Sequence, residues 1–189
     1  MNIAILASGS GSNAENIIRY FENNTDIHFF IISNKQDAFV HQRAENLTVP
    51  SVTFSAKQFR ETDDVLSFLQ EKNIDFIVLA GFLLKVPDNI INAFPNKTIN
   101  IHPALLPKFG GKGMYGNHVH EAVVAAGEKQ SGITIHYVNE HYDEGEIIFQ
   151  AACEVLPTDS AADVAQKIHL LEYEHFPKVI ENILQKIEE

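Results

Sequence analysis

Short apolar runs alternate along the N-terminal half of the chain with longer segments in which apolar residues recur every three or four positions. Several of the short runs are apolar at consecutive positions, which is typical of strands that are covered on both faces in a parallel sheet. This half of the sequence therefore predicts five strands, at Met1–Ala7, His28–Ser33, Val49–Phe54, Ile74–Ala80 and Thr98–Ile101.

The longer segments carry the spacing of amphipathic helices, with their apolar residues on one face. An alternation of strands and helices requires right-handed crossover connections, which place helices on both faces of one mostly parallel sheet. The pattern thus predicts an α/β fold with an open, Rossmann-like sheet flanked by helices. The predicted helices are Asn13–Glu22, Ala38–Leu47, Ala56–Glu71 and Asp88–Phe94.

The C-terminal half of the chain follows a different pattern. A loop rich in proline and glycine, Pro103–Gly116, precedes a predicted helix at His118–Ala126. Two further apolar runs, Ile133–Val138 and Glu146–Leu156, are joined by the polar turn Asn139–Gly145. Strands joined by a short turn can pair antiparallel, so we expect an antiparallel pair near the C-terminal end of the sheet.

The last part of the sequence predicts helical structure interrupted by a proline. Ser160 is a suitable N-cap for the periodic run Ala161–Leu171. Pro177 lacks a backbone N–H, so we expect it to end that helix and to begin another at Lys178–Lys186. Because no repeat, low-complexity tract or linker interrupts the pattern, the sequence predicts a single domain over residues 1–189.

The net charge of the chain makes some classes of binding partner unfavourable. The 189 residues include 14 Lys and Arg against 25 Asp and Glu, which gives a formal net charge of −11. Proteins that neutralise many phosphates need a cationic surface, so nucleic acids and anionic membrane surfaces are poor partners for this chain. An anion held by backbone amides remains compatible with this charge, because such a site needs no cationic side chain.

The number and spacing of the cysteine and histidine residues indicate which disulfide and metal sites the chain can form. The single cysteine, Cys153, excludes a disulfide framework and a site built from several thiolates, which favours the reducing cytoplasm. His118 and His120 have the spacing of metal ligands but lack an evident third ligand, so we expect no metal. No apolar run approaches the ~20 residues of a membrane span, and no basic segment of a signal peptide precedes the first strand.

The first turn of the chain, Ser8–Ala14, lies between the first strand and the first helix and contains two glycines. Glycines allow a ligand to approach the backbone closely, and the free amides of a helix start favour a phosphate group. The glycine spacing fits the dinucleotide fingerprint, but Ser33-Asn34-Lys35 stands where an acidic residue would hold the ribose of NAD. The turn therefore indicates a phosphate site other than an NAD site, with a purely structural turn as the alternative.

Two polar residues, Asn100 and His102, lie at the end of the fifth predicted strand and are separated by Ile101. Ligands of open α/β sheets bind beyond the carboxyl ends of the strands, and alternation places both side chains on one side of the strand. An amide can donate to a developing oxyanion, and an imidazole can exchange a proton near neutral pH. Asp143, in the turn between the last two strands, could orient such a histidine. The alternatives are a structural histidine and an ordinary turn aspartate.

These motifs together resemble the formyltransferase family, and within it the branch that acts on a glycinamide ribonucleotide. The resemblance implies direct formyl transfer from 10-formyltetrahydrofolate to the substrate amine through a tetrahedral intermediate in purine biosynthesis, with no metal. It covers nearly the whole chain and rests on Met1–Asn13, Ser33-Asn34-Lys35, Ala38-Phe39, Leu79–Phe82, Asn100–Pro107 and Asp143-x-Gly145.

The resemblance also implies roles for individual residues. Asn100 and a protonated His102 would stabilise the oxyanion, while Asp143 would keep the histidine charged and His136 would lie beside them. The N-terminal half, about residues 1–98, would hold the phosphate, and the remainder would carry catalysis and folate binding. The substrate-binding residues would be Gly11, Ser12, Asn13 and Glu172. The folate-binding residues would be Arg60, Phe82, Leu83, Leu84, Val86 and Asn100.

Related activities remain open from the sequence. A formyltetrahydrofolate hydrolase and a tRNA formyltransferase share the fold, and a non-catalytic nucleotide-binding module would keep the phosphate turn. The hydrolase normally adds an N-terminal domain and the tRNA enzyme a basic C-terminal one, so an acidic chain of this length favours the glycinamide branch. The expected oligomeric state is a monomer or a homodimer. The sequence departs from the family at the long loop Lys108–Gly116, at Leu84 and at Glu144.

Overall fold

The computed structural model describes residues 1–188, which contain seven strands and seven helices. Contacts within the chain divide it into two units, Met1–Asn100 and Ile101–Glu189. The single domain predicted over the whole chain stays a prediction.

The sheet of the first unit is parallel, and its centre is the first strand of the chain. Ile5 of that strand lies opposite Ile31 on one side and Val78 on the other. The strands run in the order β3-β2-β1-β4-β5. The second and third strands of the chain are thus added on one side of the first strand, and the fourth and fifth strands on its other side. Such a switch point opens a crevice at the carboxyl ends of the first and fourth strands. The strands are β1 (Asn2–Leu6), β2 (His28–Ser33), β3 (Ser51–Thr53), β4 (Phe76–Leu79) and β5 (Thr98–His102).

The helices of the first unit match the predicted ones except at one place. The single helix predicted at Ala56–Glu71 is wrong, because Thr62 has an extended backbone with φ −133° and ψ 166°. Its hydroxyl donates to the carbonyl of Gln58 at 3.0 Å and accepts the amide of Asp64 at 3.3 Å, so it ends one helix and begins the next. The helices are α1 (Ser12–Tyr20), α2 (Val40–Asn46), α3 (Ala56–Glu61), α4 (Asp64–Glu71) and α5 (Asp88–Ala93).

The second unit contains the predicted antiparallel pair, β6 (Gln130–Tyr137) and β7 (Ile147–Glu154), after α6 (Asn117–Ala125). The register of the pair shifts between Ile135 and His136, a bulge of the kind that re-aims a side chain. The strand order of the chain is β3-β2-β1-β4-β5-β6-β7. The fold is therefore the predicted open, mostly parallel sheet with an antiparallel pair near its C-terminal end.

The last helix, α7 (Ala161–Glu188), runs through Pro177 without a break, so the predicted division at this residue is wrong. Proline removes one intrahelical hydrogen bond, but Phe176, Val179 and Ile180 are all buried around it, and their packing holds the helix together. The predicted cap is confirmed, since the Ser160 hydroxyl accepts the amide of Asp163 at 3.2 Å. Neither this helix nor any other among residues 1–188 is long and apolar enough to cross a membrane.

Candidate active site

The turn after β1 enters α1 through Gly11, whose φ of 72° lies in the left-handed region. A Cβ at this position would lie 2.3 Å from Cγ2 of Val40, so both the conformation and the close approach of α2 require glycine. Gly11, at the N-cap of α1, has no side chain with which to cap the helix. Gly11, Ser12 and Asn13 thus form a helix start where amide groups and the helix dipole favour an anion.

Ser8 connects this turn to the segment after β4. Its hydroxyl donates to Oδ1 of Asn34 at 2.5 Å and accepts the amide of Leu83 at 2.8 Å. The Ser8 amide donates to the carbonyl of Gly81 at 3.0 Å, and the serine is 2% exposed. The residues that follow three neighbouring strands of the first unit are therefore held together by one buried hydroxyl.

Apart from Asn100, which is half-buried on β5, the residues predicted to bind folate lie on this segment and on α3. The ring of Phe82 packs against Phe59 of α3, with 5.0 Å between ring centroids. Val86 is 2% exposed, so its side chain belongs to the core and supports the segment from beneath. Their folate-binding role stays a prediction. The half-buried or exposed members of the set are Arg60, Phe82, Leu83 and Leu84.

In the second unit, His102 ends β5 with a side chain that is nearly fully buried. Its Nε2 lies 2.7 Å from the carbonyl oxygen of Phe109. A carbonyl can only accept, so the ring donates from Nε2. Its Nδ1 faces Oδ2 of Asp143 at 3.6 Å, which is longer than a direct hydrogen bond. The carbonyl fixes the ring and its tautomer, and Nδ1 is the nitrogen left to exchange a proton.

The Asp143 carboxylate lies between two histidines and a backbone amide. Its Oδ2 accepts the amide of Gly111 at 2.9 Å, and its Oδ1 lies 3.6 Å from Nε2 of His136. Burial acts to raise the pKa of Asp143, but the neighbouring imidazoles of His136 and His102 and the Gly111 amide together hold that pKa below its usual value. Asp143 is therefore ionised at neutral pH.

The glycine of the Asp-x-Gly motif, Gly145, is required because the backbone of Tyr137 lies close to it. Nδ1 of His136 donates to the Tyr137 carbonyl at 2.8 Å, which leaves Nε2 facing Asp143. A Cβ at Gly145 would lie 1.6 Å from that same carbonyl oxygen. Glycine at 145 thus allows the turn to approach the group that orients His136.

The protonated form of His102 that the resemblance implies during the reaction stays a prediction. Burial lowers the pKa of His102 below its ordinary value of 6.5, and this effect outweighs the Asp143 carboxylate and the Phe109 carbonyl, which both raise the pKa. His102 is therefore neutral at pH 7. The Asp143 carboxylate favours the charged form of the ring, so it assists proton uptake at Nδ1.

Glu172 belongs to a second polar cluster of this unit. It is buried on α7 and accepts a hydrogen bond from Nδ1 of His169 at 2.9 Å, which raises the pKa of His169. His120 on α6 is buried within electrostatic reach of both residues, and burial lowers its pKa. His118 is exposed, and residues 1–188 contain no group of three or more potential ligands arranged for a metal.

Several groups of the site were not identified from the sequence. The carbonyl of Phe109 and the amide of Gly111 act through the backbone, which residue type does not reveal. Thr134 donates to the carbonyl of Ala104 at 2.7 Å and accepts the amide of Leu106 at 3.0 Å, and so holds the segment after β5. The pairing of His169 with Glu172 could have been found from the sequence, because residues three apart on a helix are neighbours.

A family model described as formyl transferase matches residues 1–180 of the chain. The chain therefore belongs to the formyl transferase family. Relatives that match nearly the whole of this chain bear a more particular name, phosphoribosylglycinamide formyltransferase.

The chloroplastic phosphoribosylglycinamide formyltransferase of Arabidopsis thaliana is 37% identical over 193 residues, which are 97% of this chain and 65% of the relative. The phosphoribosylglycinamide formyltransferase of Bacillus subtilis is also 37% identical, over 96% of this chain and 93% of the relative. The crystal structure of the Anaplasma phagocytophilum enzyme of that name matches with a TM-score of 0.89 at 33% identity, over 98% of this chain and 88% of the other. The chain thus spans less than two thirds of the plant relative and most of the bacterial ones.

Replacing Gly145 with alanine tests the arrangement around Asp143. The new Cβ would overlap the Tyr137 carbonyl, so the turn has to move and carry Asp143 away from both histidines. We expect a loss of activity of ~10²-fold or more, because the general acid–base contribution depends on this geometry. The matched control is Glu144→Ala, at an exposed position of the same turn, which should keep activity within about twofold of the parent chain. A fully active Gly145→Ala variant would contradict the steric argument.

Proposed function

We propose that the chain transfers the formyl group of 10-formyltetrahydrofolate to the amine of glycinamide ribonucleotide. The observation that carries the proposal is the buried His102, with Nε2 held by a carbonyl and Nδ1 turned to the Asp143 carboxylate. Membership of the formyl transferase family supports the reaction, and the names of the relatives from Arabidopsis thaliana and Bacillus subtilis support the substrate.

The proton balance of the reaction gives His102 its part. The substrate amine attacks the formyl carbon, a carbon–nitrogen bond forms, and the former carbonyl oxygen becomes an oxyanion. The amine nitrogen must then lose a proton, which the lone pair of His102 Nδ1 accepts. When the bond to the folate nitrogen breaks, His102 returns the proton to that nitrogen. Asp143 stabilises the imidazolium between these two steps, so the pair ends each cycle as it began.

Asn100 is proposed as the donor to the oxyanion. It lies on β5 two residues before His102 and is half-buried. An amide N–H that is fixed before the reaction stabilises developing charge without reorganising, which is the usual benefit of an oxyanion donor.

The two substrates need different surroundings, and the first unit offers both. The start of α1 at Gly11 suits the phosphate of a ribonucleotide. The apolar side chains of Phe82 and Leu83 suit a flat ring system, and the exposed cation of Arg60 suits a carboxylate of the glutamate part of folate. In the second unit, the buried Glu172 carboxylate suits a hydrogen-bond donor of the glycinamide ribonucleotide.

The oligomeric state, the cytoplasmic location and the absence of a nucleic-acid partner stay predictions from the sequence.

The reaction is tested by following loss of the formyl group from 10-formyltetrahydrofolate spectroscopically, with and without glycinamide ribonucleotide. We expect turnover that requires the amine, and a formylated product that gains the label of a ¹³C-formyl donor. His102→Ala should lower turnover by at least ~10²-fold, since it removes the proton acceptor. His118→Ala, at an exposed position on α6, is the matched control and should stay close to the parent chain.

The same assay separates the rival activities. Loss of the formyl group without the amine would indicate a hydrolase. Binding of the ribonucleotide without any turnover would indicate a non-catalytic binding module. Near-normal turnover of His102→Ala would contradict the assignment of this residue.

The pH dependence of kcat/KM tests the charge state of His102. A proton acceptor must be neutral, so activity should fall as the pH drops through the pKa of His102, and this acidic limb should lie below the ordinary histidine pKa of 6.5. Asp143→Asn removes the carboxylate that raises this pKa, so the limb should move to lower pH while turnover falls. Substrate ionisation is common to both proteins and cancels in the comparison. A limb that moves to higher pH would contradict the proposed pairing.

A further inference from the structure

We infer that Arg43 on α2 is a positioning residue of the phosphate turn, which sets the affinity of that turn for a phosphate monoester without touching the phosphate. The inference rests on the proposed function, because it takes the start of α1 as the phosphate site. It adds to that function a residue outside the turn and a physical reason for its effect.

Two successive carbonyl groups of the turn point toward α2. The amide of Val40 donates to the carbonyl of Gly9 at 3.1 Å, and Nε of Arg43 donates to the carbonyl of Ser10 at 2.8 Å. In a trans peptide the carbonyl and the following N–H point in opposite directions. The amides of Ser10 and Gly11 are therefore turned away from α2, and successive amides arranged in this way form an anion-binding concavity.

Arg43 also adjusts the charge beside the turn. Glu15, in the first turn of α1, pairs with Arg43 and with Arg19, the latter at 2.8 Å. Hydrogen bonds from Arg19 and then Arg43 lower the pKa of Glu15, so it is charged wherever phosphate binds. An uncompensated carboxylate here would repel a phosphate dianion. The two guanidinium groups, one from the last turn of α1 and one from α2, therefore compensate the charge of this carboxylate.

The guanidinium of Arg43 has little freedom to leave this position. It lies over the ring of Phe39, with 5.1 Å from its central carbon to the ring centroid, and its side chain is 30% exposed. Arg43 thus contacts both the turn and Glu15. Arg19 also pairs with Glu15, but of these two groups it contacts only Glu15. This difference allows the two effects to be separated by substitution.

The test measures binding of inorganic phosphate and of ribose 5-phosphate to the full chain, by calorimetry and by the shift in Tm. Arg43→Met removes the contact with Ser10 and the charge, and should weaken binding about tenfold or more, the equivalent of one good hydrogen bond. Arg43→Lys keeps the charge but cannot reach both partners, and should lose about threefold. Arg19→Met removes charge alone and should lose less than Arg43→Met. Gln42→Met, an exposed neighbour that bonds only within α2, should bind as the parent chain does.

Kinetics provide an independent measurement of the same inference. The KM for glycinamide ribonucleotide should rise in Arg43→Met while kcat at saturation stays within about twofold, because the turn binds equally in ground and transition states. An unchanged phosphate affinity in Arg43→Met, or a fall in kcat with KM unchanged, would overturn the role of Arg43.

The experiment also separates the two proposals. Should Arg43→Met fail to fold, Arg43→Lys decides, and a phosphate affinity of this variant equal to that of the parent chain would overturn the inference. A parent chain that binds phosphate but transfers no formyl group would contradict the proposed function and leave the role of Arg43 standing. A parent chain that transfers the formyl group, with Arg43 variants of normal affinity, would do the reverse.

Discussion

A half-buried carboxylate has to be compensated on every side, and Asp143 imposes this requirement on the polar cluster of the second unit. Its partners come from three separate segments: the amide of Gly111 from the long loop, His136 from the bulge of β6, and His102 from the end of β5. The loop, the bulge and the glycine at 145 are each explained by the need to bring one of these groups to the carboxylate. The Gly111 amide is the direct hydrogen-bond donor to the carboxylate, at 2.9 Å, while His136 and His102 each lie 3.6 Å from one of its oxygens.

That longer distance matters for the proposed chemistry. A histidine in tight contact with a carboxylate has a raised pKa, so it is already charged near neutral pH and has no lone pair with which to accept a proton, whereas a buried histidine without a nearby anion resists protonation. His102 experiences both influences, and burial is the stronger. The result is a ring that is neutral at rest and has a stabilising charge available once it accepts a proton. This is the division of roles that acyl transfer to an amine requires, since the proton leaves one nitrogen and later returns to another.

Much of the fold could be predicted from periodicity, because buried parallel strands and amphipathic helices each impose their own spacing on the sequence. The failures occurred where tertiary packing or a single side chain overrode local preference: the packing around Pro177 and the hydroxyl of Thr62. The resemblance to the family also implied that Asp143 would lie beside His102, and the structure has 3.6 Å between Nδ1 of His102 and Oδ2 of Asp143. The carbonyl of Phe109 and the burial that sets the His102 pKa could not be predicted, because they depend on backbone direction and depth.

The acidity of the chain has a consequence for the proposed phosphate site that depends on distance. At physiological ionic strength, charges farther away than about 8 Å are largely screened, so most of the net charge of −11 does not act on a phosphate at the start of α1. The nearby carboxylate of Glu15 is compensated by Arg19 and Arg43, and the aligned amides of Ser10 and Gly11 favour an anion. Phosphate binding in so acidic a chain therefore needs no cationic surface, only carbonyl groups that are kept pointing away from the ligand.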